Sequence, residues 1–273
     1  MCNQTNIRSF WEQIRKLLAV ALMSALLITG GCGQSSGPND NSSPAVASAP
    51  QDATIQVHPV KLALISDQTL SMNWARTSPL TIHDLESLRN LYHSCGGEII
   101  FGLIRDQSNR GLIRTRFPVL PPAPQKPQTQ DDMFKDAESE DTYQQQLIKW
   151  KESCDKRRLN VDHLFDEFLV AIKPLLEQKA NAQKSDIWSA VGRADLALSE
   201  SDASWPLPTR RYLLLISDGL DTVGKPSTPL QSGAKVTLVN GSTSLGSLTS
   251  LNPMRFESIK AAIQEIVAIE GEK

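Results

Sequence analysis

The sequence lacks the patterns that mark several common classes of protein. No block of Lys and Arg stands out, and the formal net charge is −2, so nucleic acid is not expected as a partner. No Cys-x-x-Cys or Cys/His spacing is present, which argues against a zinc site. The histidines are scattered, and no strand-like segment runs into Gly-x-Ser-x-Gly, so a serine hydrolase is not expected either.

Long apolar runs are also missing. The longest run, "LLAVALMSALLIT" (17–29), has about a dozen apolar residues and is too short to cross a bilayer comfortably. Arg8, Arg15 and Lys16 precede this run, and small residues follow it. A basic segment, a short apolar run and small residues are typical of an export signal. We therefore expect the rest of the chain to leave the cytoplasm.

A cysteine ends the small residues of this signal. The stretch "LLITGGC" resembles a bacterial lipobox, which implies cleavage before Cys32 and attachment of diacylglycerol to its thiol. The alternative is an uncleaved signal anchor with an incidental cysteine. We interpret residues 1–31 as a lipoprotein signal peptide and the Ser-, Gly- and Pro-rich residues 32–56 as a flexible tether. The expected location is the cell envelope, with a lipid anchor in the membrane and the protein facing the periplasm or the exterior.

Two cysteines remain in the globular part. An oxidising compartment permits a disulfide between Cys95 and Cys154. Two free thiols are the alternative, because the sequence does not show whether the two residues approach each other. Both possibilities stay open from the sequence alone.

From about Val57 the chain alternates between strand-like and helix-like segments. The predicted strands are VKLALISD (60–67), EIIFGLI (98–104), GLIRTRFPV (111–119), RRYLLLISD (210–218) and AKVTLVNGS (234–242). The short polar turn between the second and third segments predicts an antiparallel hairpin. The alternation predicts an α/β fold with a mostly parallel central sheet, one antiparallel edge strand and helices on both faces. A sixth strand is not visible in the sequence.

Four segments have helical patterns. They are residues 78–95, 142–179, 185–201 and 254–271, and Pro174 is expected to kink or divide the second. Between the hairpin and that long helix, residues 118–141 are Pro-rich and then acidic. We interpret them as an exposed loop inserted into a single domain of residues 57–273.

Two strands that are central by their apolar character end in aspartate. "LALISD" ends in Asp67, with Thr69 and Ser71 beyond it, and "YLLLISD" ends in Asp218. Ser185 begins a helix in the segment between them. Ligands of open α/β sheets bind at the carboxyl ends of the strands, so these five side chains are expected to converge. Carboxylate and hydroxyl oxygens suit Mg²⁺, Mn²⁺ or Ca²⁺.

Three short motifs that contain these residues resemble motifs of the von Willebrand factor type A domain. "DQTLS" (67–71) resembles its Asp-x-Ser-x-Ser motif with Thr69 in the middle, and "SDIWSAVGRA" (185–194) resembles its loop before a helix with Ser185 in place of Thr. "ISDG" (216–219) supplies the aspartate after the fourth strand. The resemblance covers roughly residues 57–269, and the hairpin of the second and third predicted strands also fits the topology of that family.

The resemblance implies a Rossmann-like fold and a metal-ion-dependent adhesion site. The hydroxyls of Thr69, Ser71 and Ser185 would bind a cation such as Mg²⁺, with Asp67 and Asp218 acting directly or through water. An acidic residue of an unknown partner protein would complete the coordination. The function implied is protein binding and not catalysis.

Other interpretations of the same residues remain. Asp67, Thr69 and Ser71 could satisfy backbone groups in a turn, Asp218 could begin an Asp-Gly turn, and Ser185 could be a helix N-cap. A metal-independent envelope scaffold that uses the 118–141 segment and the long helix is the main alternative function. A phosphohydrolase with Asp67 as nucleophile is a weaker one, because such enzymes need a second carboxylate where this chain has Thr69.

Overall fold

The computed structural model describes residues 57–72, 79–108, 111–127, 133–205, 208–223, 229–241 and 246–271. The segment Thr54–Lys273 is a compact unit by itself. The predicted signal peptide, Cys32 and the tether of residues 32–56 lie outside the described residues. Within the described ranges, no helix is both long and apolar enough to cross a membrane.

Six strands of the described residues form one mixed sheet. They are β1 (Val60–Asp67), β2 (Gly97–Ile104), β3 (Ile113–Phe117), β4 (Arg210–Ile216), β5 (Lys235–Val239) and β6 (Met254–Phe256). Their order across the sheet is β3-β2-β1-β4-β5-β6. All neighbours are parallel except the antiparallel pair β2–β3. The predicted α/β fold with a mostly parallel sheet and one antiparallel edge strand is therefore confirmed.

Helices cover both faces of this sheet. They are α1 (Ile82–Cys95), α2 (Met133–Leu176), α3 (Ile187–Ser199) and α4 (Ile259–Gly271), together with a short 3₁₀ helix (Gly246–Leu251). Helices α1, α2 and α4 contribute to the core on one face, while α3 and the 3₁₀ helix contribute to the core on the other. The domain therefore has two hydrophobic layers with the sheet between them.

Strand β1 supplies side chains to both layers. Leu62 and Leu64 lie in one core and Ala63 and Ile65 in the other, and all four are fully buried. Burial on both faces explains why this strand is a continuous apolar run and does not alternate with polar residues. The residues that follow β1 therefore start from a rigid base.

The connection from α1 to β2 depends on two glycines. Thr81 is the N-cap of helix α1, and its side chain accepts from the backbone N–H of Asp84. Gly96 is the C-cap with a φ of 69°, and Gly97, the first residue of β2, follows with a φ of 122°. A Cβ on Gly97 would lie 2.0 Å from the carbonyl oxygen of Val60. Glycine at these two positions lets α1 turn directly into a strand beside β1.

Two predicted element boundaries differ clearly from the structure, and the expected division of the long helix at Pro174 is not seen. Residues Met254–Phe256 form β6, and the closing helix begins only at Ile259. Helix α2 begins at Met133 and not at residue 142, so the acidic end of the predicted 118–141 loop is helical. Pro174 does not divide α2, because it lies in the last turn of a helix that ends at Leu176. Short edge strands and helix segments with few apolar residues give weak periodicity, which explains the first two errors.

The N-terminal part of α2 extends beyond the domain core. The partly buried side chains among its residues 139–156 are spaced as on one helical face, and they are Ser139, Glu140, Tyr143, Leu147, Trp150 and Cys154. Residues 118–127 contact this part of the helix, since Trp150 Nε1 donates to Pro121 O at 3.0 Å. We call residues 118–127 together with 139–156 the arm.

The two cysteines of the domain are free thiols in the structure. Cys95 is buried and its Sγ donates to Leu91 O at 3.0 Å, whereas Cys154 is partly exposed on the arm. Burial raises the pKa of Cys95 to about 12. The structure therefore has the second of the two arrangements that the sequence left open.

Candidate metal centre

The candidate site lies at the carboxyl edge of the two central strands. Strands β1 and β4 are parallel neighbours, and Ser66 pairs with Ile216 at the end of their register. The next residues, Asp67 and Ser217, consequently leave the sheet side by side, and Ser217 Oγ donates to Asp67 Oδ2 at 2.7 Å. Asp218 lies one residue further out and is partly exposed, whereas Asp67 is fully buried.

Three hydroxyl groups and one carboxylate form a connected cluster at this edge. Thr69 Oγ1 lies 3.0 Å from Ser71 Oγ and 3.2 Å from Ser185 Oγ. Ser185 Oγ also lies 3.1 Å from Asp67 Oδ2, to which it can donate. Four of the five side chains predicted for the metal site are therefore joined by hydrogen bonds.

The loop after β1 is held in place by backbone contacts. Asp67 Oδ1 accepts the Thr69 N–H at 2.9 Å, which closes a tight turn directly after the strand. Leu70 N then donates to Ala182 O at 2.9 Å, so the loop pairs with the segment that precedes Ser185. These contacts bring the Thr69 and Ser185 hydroxyls together although the residues are far apart in sequence.

Ser185 is fixed from the opposite side by the loop after β4. Its N–H donates to Thr222 Oγ1 at 2.8 Å, and Thr222 N–H donates back to Ser185 O at 2.9 Å. The N-cap of α3 is Asp186 and not Ser185, because Asp186 Oδ1 accepts the Ser189 N–H. The Ser185 hydroxyl is thus not used as a cap and remains in the cluster.

Burial dominates the electrostatics of Asp67. Loss of water around the carboxyl raises its pKa above the ordinary value, and the nearby charge of Asp218 raises it further. Hydrogen bonds from Ser217 and Thr69 act in the opposite direction but are smaller contributions. The ionised carboxylate therefore carries a desolvation cost that a bound cation would offset.

Asp218 is near the cluster but is not hydrogen-bonded to it within the described residues. Its Oδ1 accepts the Leu220 N–H at 2.9 Å, and its own N–H lies 3.1 Å from Met72 Sδ. The carboxylate therefore caps the turn after β4, as the Asp-Gly interpretation predicted, while its charge acts on Asp67. These observations suit a role at a cation through water better than direct coordination.

Two residues of this site were missed by the sequence interpretation. Ser217 is fully buried and donates to Asp67, and Thr222 holds Ser185. A signal for Ser217 exists, because "ISD" occurs at the end of both central strands. The one-residue offset in register decides that the serine of the second "ISD" contacts the aspartate of the first.

The spacing of the hydroxyls fits a small divalent cation. Neighbouring oxygens around octahedral Mg²⁺ with bonds of about 2.1 Å lie about 3.0 Å apart. The Thr69–Ser71, Ser185–Asp67 and Ser185–Thr69 contacts of 3.0, 3.1 and 3.2 Å match that separation. The donors are all hard oxygens, as Mg²⁺, Mn²⁺ and Ca²⁺ prefer. The described residues contain no group of three His, Cys, Asp or Glu side chains that could hold a metal, so any binding here depends on hydroxyls.

A cleft of about 420 Å³ opens beside the cluster. Its lining includes Asp67, Thr69, the exposed Leu70 and Leu176 at the end of α2. An external group in this cleft can therefore approach Thr69, and Ser71 is itself exposed to solvent. No protein-family model matches this chain, and no curated protein sequence matches it.

Proposed function

We propose that this chain is a lipid-anchored envelope protein that binds a partner protein through a divalent cation. The domain is similar to a von Willebrand factor type A domain, and the cation is Mg²⁺, or Mn²⁺ or Ca²⁺ in its place. The observation that carries the proposal is the hydroxyl cluster, with oxygen separations of 3.0–3.2 Å beside a buried carboxylate. The proposed ligand set is Asp67, Thr69, Ser71, Ser185 and Asp218.

The chemistry of this set supports binding of an acidic partner. Neutral hydroxyls donate little charge to a cation, so the cation keeps a strong attraction for an external anion. Ser71 is exposed and borders solvent, whereas Thr69 and Ser185 are buried. A Glu or Asp carboxylate of the partner would complete the coordination from the solvent side.

The residues of the chain orient the hydroxyls for this task. Ser185 Oγ can donate its proton to Asp67 Oδ2, which leaves the oxygen lone pairs of Ser185 directed away from the carboxylate. Ser217 donates to the same carboxylate oxygen and keeps Asp67 in one position. Both contacts keep the carboxylate in place as an acceptor, so the hydroxyl oxygens are available as neutral ligands.

Membrane attachment is proposed from the sequence signals. The "LLITGGC" stretch supplies Cys32 for lipidation, and residues 32–56 supply a tether between lipid and domain. Such a layout presents the cation site to proteins of the periplasm or the exterior.

The metal site is tested by calorimetric titration of the full chain in detergent with Mg²⁺ and Mn²⁺. We expect saturable binding near or below millimolar concentration, weakened about tenfold or more in Ser71→Ala and in Asp67→Asn. Ser94→Ala is the matched control, because Ser94 is also exposed but lies on α1 away from the site. Absence of saturable binding in the wild type, or equal binding in all variants, contradicts the proposal.

The partner is tested by capture of envelope proteins with Mg²⁺ or with EDTA. Metal-dependent capture that Ser71→Ala abolishes and Ser94→Ala keeps supports the proposal.

A second candidate function is metal-independent binding through the arm, which extends beyond the core and leaves Ile148 57% exposed. Capture that persists in EDTA and in Ser71→Ala favours that second function.

A further inference from the structure

A guanidinium group on α3 lacks the partners that a charged group normally has. The Nε and Nη1 atoms of Arg193 are buried, and neither has a hydrogen-bond partner. Burial lowers the pKa of Arg193, and Asp186 is the one carboxylate whose charge acts in the opposite direction. Burying polar or charged groups without partners costs free energy, so such an arrangement in a folded protein calls for an explanation.

Arg193 borders a cavity next to the β2–β3 hairpin. The cavity has a volume of about 220 Å³. Among the described residues, its lining includes Arg193, Arg105 and the apolar side chains of Leu103, Ile113 and Leu175. Two arginines and no carboxylate are present in this part of the lining, and the remaining wall is largely apolar.

The second arginine is also without an acidic partner among the described residues. Arg105 donates from Nε and Nη2 to Gln68 Oε1 at 3.2 and 2.7 Å, and it also donates to Gln178 Oε1. Amide oxygens satisfy hydrogen bonds but carry no negative charge to neutralise the guanidinium. Arg114, on the neighbouring strand β3, shows the usual alternative, since it pairs with Glu98 and Glu200.

The combination of charge and apolar wall defines a class of ligand. Two guanidinium groups that line one cavity without a carboxylate among its described lining attract an anion. Leu103, Ile113 and Leu175 favour an apolar group attached to that carboxylate. From this juxtaposition we infer that the cavity between β2, β3 and α3 is a binding site for a small carboxylate with an apolar tail, held by Arg193 and Arg105.

Calorimetric titration of the full chain with hexanoate tests this site. The buffer contains EDTA, so that a carboxylate cannot bind through a divalent cation at the Asp67 cluster and failure of one proposal leaves the other intact. We expect saturable binding of hexanoate, and much weaker binding of hexan-1-ol and of inorganic phosphate. Absence of saturable hexanoate binding, or equal binding of either control ligand, overturns the inference.

The role of the arginine is tested with Arg193→Met. We expect the affinity for hexanoate to fall about tenfold or more, because hydrogen bonds to a charged partner are lost. The melting temperature of the variant without ligand is expected to stay the same or rise, since two buried N–H groups without partners are removed. Arg158→Met, at an exposed arginine of α2, is the matched control and should bind hexanoate like the wild type. Unchanged affinity in Arg193→Met overturns the inference.

Discussion

Asp67 is the residue on which the candidate metal centre depends most. It is fully buried, accepts from Ser217, Ser185 and Thr69, and ends the most deeply buried strand of the sheet. Its hydrogen bonds stabilise the ionised carboxylate, but burial outweighs them and raises its pKa. We therefore expect the stability contributed by Asp67 to depend on pH and, if the proposed site binds a cation, on that cation.

The pH dependence of the melting temperature should show that the pKa of Asp67 is raised in the folded protein. The folded-state pKa of Asp67 is raised above its ordinary value of 3.8, so the stability that it contributes is complete below that value and is lost as pH rises through the folded-state pKa. Asp67→Asn does not ionise and should escape this loss. In EDTA, the melting temperature of the variant minus that of the wild type should increase as the pH rises above 3.8, the ordinary pKa of the carboxyl.

Circular dichroism melts of both proteins at several pH values measure this difference. Added Mg²⁺ should then raise the melting temperature of the wild type and leave Asp67→Asn unchanged. A difference that stays constant with pH would mean that Asp67 titrates alike in the folded and unfolded protein. Asp195→Asn serves as a control, since Asp195 is a buried aspartate with backbone partners in another loop.

Some contacts between residues of the site could be predicted from the sequence, and others could not. Asp67, Thr69 and Ser71 could be grouped from their spacing after a strand, because adjacent positions on one chain stay close. The contact of Ser217 with Asp67 depends on a one-residue offset between β1 and β4 that no local pattern records. Contacts set by register across strands are therefore found only once the sheet is known.

At the scale of elements, one arginine joins α2 to the end of α1. Arg157 is 7% exposed, and its guanidinium donates to Tyr92 O, His93 O and Pro118 O. The last carbonyls of a helix have no partners within it, so a fixed cation at this end is favourable. The same side chain holds the chain where it leaves β3.

Arg157→Met should lower the free energy of unfolding by about 2–3 kcal/mol, because His93 O and Pro118 O lose a buried donor. Tyr92 O keeps the Gly96 N–H as a partner, so it contributes less to the loss. Urea unfolding followed by circular dichroism measures the change. Arg158→Met, at the next and exposed position, should change stability by about 0.5 kcal/mol or less. Equal effects of the two substitutions would contradict this role.

Elements with strong hydrophobic periodicity could be predicted from the sequence, and elements with weak periodicity could not. The apolar run of β1 and the leucine spacing of α1 located those elements, and the short polar turn gave the antiparallel hairpin. β6 has three residues at the sheet edge, so it has too few side chains for a pattern. The first residues of α2 carry few apolar side chains because that part of the helix lies away from the core, which made them resemble a loop.

At the scale of the whole molecule, the described domain has a core and an arm. The fully buried apolar side chains of α2 begin at Val161, while the arm residues 139–156 are exposed or partly exposed. The Trp150–Pro121 hydrogen bond joins the two halves of the arm to each other. The core layers and the hydroxyl cluster are built from other residues. The arm should therefore be separable from both folding and metal binding.

Removal of most of the arm, together with the residues between its two halves, tests whether the arm is independent of folding and of metal binding. The ends left by deleting residues 120–153 are near each other, because Arg157 Nε donates to Pro118 O at 2.8 Å, so a short Gly/Ser linker of about six residues can join them. We expect the shortened chain to fold with a melting temperature within about 5 °C of the wild type, because few core contacts are lost. Mg²⁺ titration should give the wild-type affinity, and any partner captured in EDTA should be lost. Failure to fold, or a weakened cation site, would show that the arm supports the core.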